Sequence, residues 1–441
     1  MPGPRRARSG PAISPPGPAG GRIALVAASV VILASTVVWP RVQVLSVVIP
    51  LQRLISYIAF AVTIVALRRT VRRPGWLLGA LLGVFALFLL WVAVDSGIHM
   101  GAAGFQVLPA VMDLSKYVAA FMTAVTLALA VRSRVLTGAA ARRLLMWSSL
   151  FFIAVAYGCL VAYWAGFRVE DGLVIKSFGD AWGVWPTSTA VPRLVGLSTE
   201  PQQFSVVYVT GLLAMMQERR ARWQIAAAFG LIALLLSQSK YSLLSVVVAA
   251  VWWFCNVGVA RGFSRRKWVA SGVAAIIILV GALGAASLLP TFQATLQTGL
   301  NGGAFTERSG NAALLTEAFA GSPGVGIGPA QYGVFRAHEL GIPVDNAYYP
   351  NNDFLKVAAE LGVPGLILLV VILVLVALAL QRGLCGPSRV VVLPLAIGSA
   401  LILGNMLIGY ELLHVFFWVN VGLLVGVGGV VGRRRERPIQ Q

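Results

Sequence analysis

Residues 76–94 read WLLGALLGVFALFLLWVAV, a run that contains no charged side chain. About twenty consecutive apolar residues are what an α-helix needs to cross the hydrocarbon core of a bilayer. Similar runs recur along the 441 residues, at approximately 23–39, 44–66, 114–131, 144–165, 202–217, 222–237, 241–259, 268–289, 354–380, 390–409 and 411–431. The chain is 58% apolar and only 11% charged. That is roughly half the charge a soluble domain of this size carries. The expected fold is all-α: a polytopic transmembrane helix bundle of about 12 spans.

The basic residues test that count. The formal charge is +20, from 35 Lys and Arg against 15 Asp and Glu. Most of the cations sit in clusters at alternate turns, such as Arg68, Arg69, Arg72 and Arg73, or Arg132, Arg134, Arg142 and Arg143. The turns between them are nearly bare. A bilayer protein keeps its basic turns on the cytoplasmic side, so both termini are expected in the cytoplasm. This distribution also argues against nucleic acid as a partner, since no basic face with interleaved aromatics lies outside the spans. Residues 1–22 read as a disordered cytoplasmic tail, 23–432 as the membrane domain and 433–441 as a second tail. The run at 23–39 is long for a signal sequence and no cleavage site follows it, so it is kept as the first span. Cys159 and Cys255 lie in apolar runs and Cys385 in a basic turn, which predicts neither a disulfide nor a metal site.

Ten cations remain for the opposite, outer side: Arg41, Arg53, Lys116, Arg168, Lys176, Arg193, Lys240, Arg308, Arg336 and Lys356. Two outer loops, at about 166–202 and 290–353, contain most of the remaining chemistry. The second, between spans nine and ten, is too long to be a structureless connection, and residues 311–320 (NAALLTEAFA) read as a short helix inside it. In Val191-Pro-Arg-Leu-Val-Gly-Leu-Ser-Thr-Glu-Pro-Gln-Gln-Phe204, Arg193 and Glu200 arrive just before a span. Polar groups near membrane depth must face a bundle interior or a wet cavity; Gln202 alone reads as interfacial. Lys240, in the turn Ser237-Gln-Ser-Lys-Tyr241, is either a functional cation or a lysine reaching out of a helix end. The Gly324, Gly326, Gly328 spacing lacks the strand-turn-helix frame of a nucleotide loop. It reads instead as a tight backbone path close to a partner chain or ligand. His338, Asp345, Tyr348, Tyr349 and Asn351-Asn352-Asp353 follow, leading into the span with Glu360, Gly362, Pro364 and Gly365.

Taken in order, these elements resemble the O-antigen ligase and Wzy-type polysaccharide polymerase superfamily of bacterial membrane glycosyltransferases. The resemblance covers roughly residues 190–380. It rests on Arg193 with Gly196, Ser239-Lys240, Arg308, Pro323 with Gly326 and Gly328, and Asn351-Asn352 with Gly362 and Gly365. Two positions depart from the pattern: Lys240 stands where Arg is usual, and Asn351 where the ligases have His. The Glu200-Pro201 pair is more reminiscent of exopolysaccharide polymerases. The resemblance implies a GT-C-like bundle that joins polyprenyl-diphosphate-linked oligosaccharides into, or onto, a cell-surface polysaccharide, with polymerase favoured over ligase. It implies a glycan donor, a glycan acceptor and the bilayer as partners, with a flippase and a chain-length regulator as further ones.

The residues fit that chemistry on their own terms. A diphosphate leaving group is multiply anionic, and a guanidinium matches phosphate oxygens in bidentate fashion. Arg193, Lys240 and Arg308 are thus expected to converge on one outer cavity, with Asn351, Asn352 and Tyr349 binding substrate beside them. Neither an Asp-x-Asp nor a His cluster marks the outer segments, so no metal or other cofactor is expected and protein cations must stabilise the leaving group. The acceptor hydroxyl needs a base, for which Glu200, His338 and Asp353 are the candidates; Glu200 is favoured for its place beside Arg193, with His338 as alternative. The rival reading is a twelve-span secondary transporter. Such proteins usually divide into repeated halves with buried charges near the midplane, whereas here the charges collect at one surface.

Overall fold

The computed structural model describes residues 18–35, 41–44, 47–68, 75–102, 104–165, 184–185, 193–196, 201–260, 303–341, 352–384, 389–407, 412 and 414–435. The helices among them are α1 (Pro18–Ser35), α2 (Leu51–Leu67), α3 (Trp76–His99), α4 (Val107–Arg132), α5 (Gly138–Trp164), α6 (Pro201–Met216) and α7 (Ala221–Leu236). They continue with α8 (Lys240–Ala260), α9 (Gly303–Gly321), α10 (Tyr332–Leu340), α11 (Asp353–Leu384), α12 (Arg389–Met406) and α13 (Val415–Arg435). Four of them, α3, α4, α5 and α11, are long and apolar enough to cross a membrane. Shorter apolar stretches occupy α1, α2, α6, α7, α8, α12 and α13. The chain is a mostly helical, multi-pass membrane protein. The run at 268–289 lies outside the described residues.

Local chemistry moves several boundaries from the sequence reading. The run at 44–66 divides: β1 (Arg41–Val44) pairs antiparallel with β2 (Val47–Pro50), and the helix starts only at Leu51. Pro50 disfavours helical backbone in the residue before it, and the Val- and Ile-rich stretch ahead suits a pleated ribbon. A second small ribbon joins β3 (Val184–Trp185) to β4 (Arg193–Leu194), with Trp185 opposite Arg193. The helix expected at 311–320 begins earlier, at Gly303.

Burial sorts the helices into layers. Every described side chain from Gln203 to Met216 in α6, and from Val415 to Gly428 in α13, is buried. These two helices form the centre of the bundle. Small residues let neighbours approach closely there: a Cβ on Gly422 would stand 2.5 Å from the Ala124 carbonyl oxygen of α4, a common way for membrane helices to pack without a hydrophobic driving force between them. The outer helices keep an apolar exposed face, as with Leu87 and Leu90 on α3 and Ile367 and Val370 on α11. The two ends of the bundle differ in chemistry. At one, Arg142 pairs with Glu218 at 3.0 Å and Arg382 lies over Trp76. The other end holds the C-termini of α3, α7 and α12, the N-termini of α4, α6, α8, α11 and α13, and the loop helices α9 and α10.

Candidate functional site

The framework of this loop-bearing end is a break in α11. Gly362 adopts φ 64° and ψ −166°, and Pro364 follows two residues later. Pro364 has no N–H, so the Glu360 carbonyl loses its helical partner. The glycine segment of the long loop supplies replacements. Gly328 N–H donates to Glu360 O at 3.0 Å and Ile327 N–H to Ala359 O at 2.9 Å, while Val363 N–H turns to Pro323 O at 2.8 Å. From α3, the Trp91 indole donates to Leu361 O at 2.8 Å. Gly326 also has positive φ, and a Cβ there would lie 2.4 Å from the Glu360 carbonyl, so only glycine fits. The Gly326 N–H is itself spent on Ser322 O at 2.7 Å. The tight path expected to approach a partner chain or ligand therefore lies against α11 of its own chain, and the three amides of Gly326, Ile327 and Gly328 are engaged with carbonyls.

A charge lattice underlies this joint. Asp113 of α4, fully buried, receives Lys116 and, at 2.7 Å, Lys356 of α11. Lys356 also contacts Glu360 at 2.8 Å, one turn along its own helix. Glu360 in turn accepts the Tyr332 amide at 3.2 Å, fixing the start of α10. Two lysines thus balance two carboxylates, which buried charges require. The Tyr332 hydroxyl donates to Asn311 O at 3.2 Å, and burial pushes its pKa up to about 12. Nearby on α3, the buried Asp95 faces the His99 ring at 3.4 Å.

The residues expected from the sequence to form the site fall into three groups. Arg193, on β4, donates to Ser237 O at 3.3 Å and Gln238 O at 3.2 Å. Those carbonyls belong to the α7–α8 turn, so Arg193 is held against the turn from which Lys240 starts α8. Asn352 accepts the Leu355 amide at 2.9 Å, capping α11, and donates to Leu407 O at 3.0 Å. Asp353, 1% exposed, accepts the Leu412 amide at 2.8 Å. Both residues thereby pin the link between α12 and α13. His338 stands apart: its side chain is 86% exposed in the last turn of α10, beside Glu339. Glu200, Tyr349 and Asn351 lie outside the described residues, as do the side chains of Lys240 and Arg308, whose backbones fall in α8 and α9.

Other polar groups meet at the same end. His414, in the link before α13, contacts Gln203 of α6 at 3.1 Å. Arg53 of α2 and Lys116 of α4 place positive charge beside it, and Arg53 also donates to Ser115 at 3.4 Å. Sequence reasoning took Gln203 for part of a span's first turn and passed over His414. The available signals were an acidic residue inside or at the edge of an apolar run, as with Glu360 and Asp113, and a Lys-to-Glu spacing of four along a helix.

No curated protein matches the chain. Residues 225–370, from α7 through the long loop and across the break in α11, match the family model described as O-Antigen ligase.

Proposed function

We propose that the protein is a glycosyltransferase that polymerises polyprenyl-diphosphate-linked oligosaccharides at the outer face of the bacterial plasma membrane. The family match over residues 225–370 supports an O-antigen ligase- or polymerase-type membrane enzyme; substrate, face and polymerase activity are our reading. What supports it is that Arg193, held on the turn bearing Lys240, and the Asn352–Asp353 entrance to α11 lie at the same end of the bundle, each tied to the C-terminal end of α12 or to the turn that Tyr241 fastens to Gly404. Arg193, Lys240 and Arg308 hold the diphosphate, and Asn351, Asn352 and Tyr349 orient the sugars. Charge developing on the leaving oxygen is stabilised by those cations, a contribution of several kcal/mol for a well-placed donor.

The test is reconstitution of the full chain in lipid vesicles with a polyprenyl-diphosphate-linked oligosaccharide. A ladder of longer lipid-linked glycans is expected, and Arg193→Ala should remove it. Movement of the intact glycan across the bilayer, with no new glycosidic bond, would sink the enzyme reading.

A further inference from the structure

We propose that His414 is the proton acceptor for the attacking hydroxyl, a role that rests on the transferase reading above. Three observations place it. The link that carries it is tied to the entrance of α11, because Asp353 accepts the amide of Leu412, two residues before it, and Asn352 holds Leu407 at the start of the link. The ring therefore sits where α11, α6 and α13 begin, beside the segment to which the substrate-binding residues belong. Its chemistry suits the role: the atom of Gln203 nearest the ring is the amide nitrogen, 3.1 Å from His414 Nε2. An amide nitrogen can only donate, so the contact is a hydrogen bond in the neutral tautomer whose Nε2 lone pair accepts. A hydroxyl that replaced the Gln203 amide would meet the same lone pair.

The surroundings couple this base to the donor. Arg53 from α2 and Lys116 from α4 face the ring; Gln203 comes from α6, and Phe416 of α13 stacks on it at 5.4 Å. Asp353 of α11 reaches the same link through Leu412. Burial of the ring, with the charges of Arg53 and Lys116 added, holds it below the usual histidine range. The negative charge of a donor diphosphate at this end of the bundle offsets the Arg53 charge and raises the basicity of the imidazole, while the larger effect of burial remains. The base is thereby strengthened when donor is present. In the step itself the acceptor oxygen forms a bond to the anomeric carbon, and the bond from that carbon to the phosphate oxygen breaks. The polyprenyl diphosphate leaves with the electron pair, and the hydroxyl proton passes to His414 Nε2. Asp353, occupied by the Leu412 amide, and His338, exposed on α10, act elsewhere.

The test uses the full chain in lipid vesicles with a polyprenyl-diphosphate-linked oligosaccharide and a glycan acceptor. His414→Gln, which keeps a partner for Gln203, is expected to lower kcat by about a hundredfold or more, the usual share of a general base. Its KM for the donor should stay within about threefold of wild type. His414→Ala should regain roughly tenfold of its lost rate in millimolar imidazole. Under saturating donor, the loss of rate on the acid side should vanish in His414→Gln and persist in Glu200→Gln. Three results overturn the assignment: His414→Gln near the wild-type rate, no rescue of His414→Ala by imidazole, or loss of the acid limb in Glu200→Gln alone. If the wild-type chain transfers no glycan at all, the transferase reading itself falls, so the two failures are separable.

Discussion

Replacing Lys356 by methionine removes the ammonium that two buried carboxylates share while keeping most of the side-chain volume. In the wild type its Nζ lies 2.7 Å from Asp113 and 2.8 Å from Glu360. Asp113 keeps Lys116 after the change, but Glu360 retains only neutral donors such as the Tyr332 amide at 3.2 Å. Removing one partner of a buried pair costs about 3–5 kcal/mol. With Asp113 still balanced, the lower end, about 3 kcal/mol, applies here. The loss falls on the joint between α11 and the loop, because Glu360 holds the start of α10 and its carbonyl holds Gly328. Hydrogen exchange in lipid nanodiscs reads that joint. The amides of Ile327, Gly328 and Tyr332 should exchange about a hundredfold faster in Lys356→Met, since each 1.4 kcal/mol is a factor of ten. Lys356→Arg, which keeps the charge, should lie between the two. Amides of the variant exchanging within threefold of wild type would show that the lattice does not hold the loop, and the reasoning would be refuted.

Gly362→Ala should be more disruptive than its size suggests, because φ is 64° and the new Cβ would meet Gly324 at 2.9 Å; strain of about 1–3 kcal/mol is expected, read as a lowered unfolding midpoint in detergent. Trp91→Phe keeps the ring but frees the Leu361 carbonyl, and should cost about 1 kcal/mol in the same measurement. Arg193→Lys should lose most polymerising activity although the charge is kept, since a lysine cannot reproduce the contacts to both Ser237 and Gln238; product length on a gel reports it. Asp353→Ala releases the Leu412 amide and should cost about 1–3 kcal/mol, together with a fall in glycan transfer, whereas a variant as stable and active as wild type would detach the α12–α13 link from the site.

Much of the fold is legible because bilayer solvation is written in local composition. The run at 76–94 became α3 and the runs at 114–131 and 144–165 became the cores of α4 and α5, since a stretch of apolar residues long enough to span needs no distant partner to be recognised. The order Arg193, Ser239-Lys240, Pro323 to Gly328 and Asn352 was likewise visible as a pattern, and the family match overlaps most of it. A boundary failed where one residue overrules a run, as Pro50 does before α2, and the break at Gly362 falls inside a run that reads as continuous.

The site needed more than the run of residues. Asp113 and Lys356 are 243 positions apart, and His414 meets Gln203 across 211. Whether two such side chains touch depends on how far each helix is rotated about its axis, which hydropathy alone does not encode when a helix is buried on every side, as α6 and α13 are. The glycine segment shows the same division. Its composition announced a close backbone approach, but only the folded chain decided that the surface approached is the opened turn of α11, whose Ala359 and Glu360 carbonyls accept Ile327 and Gly328.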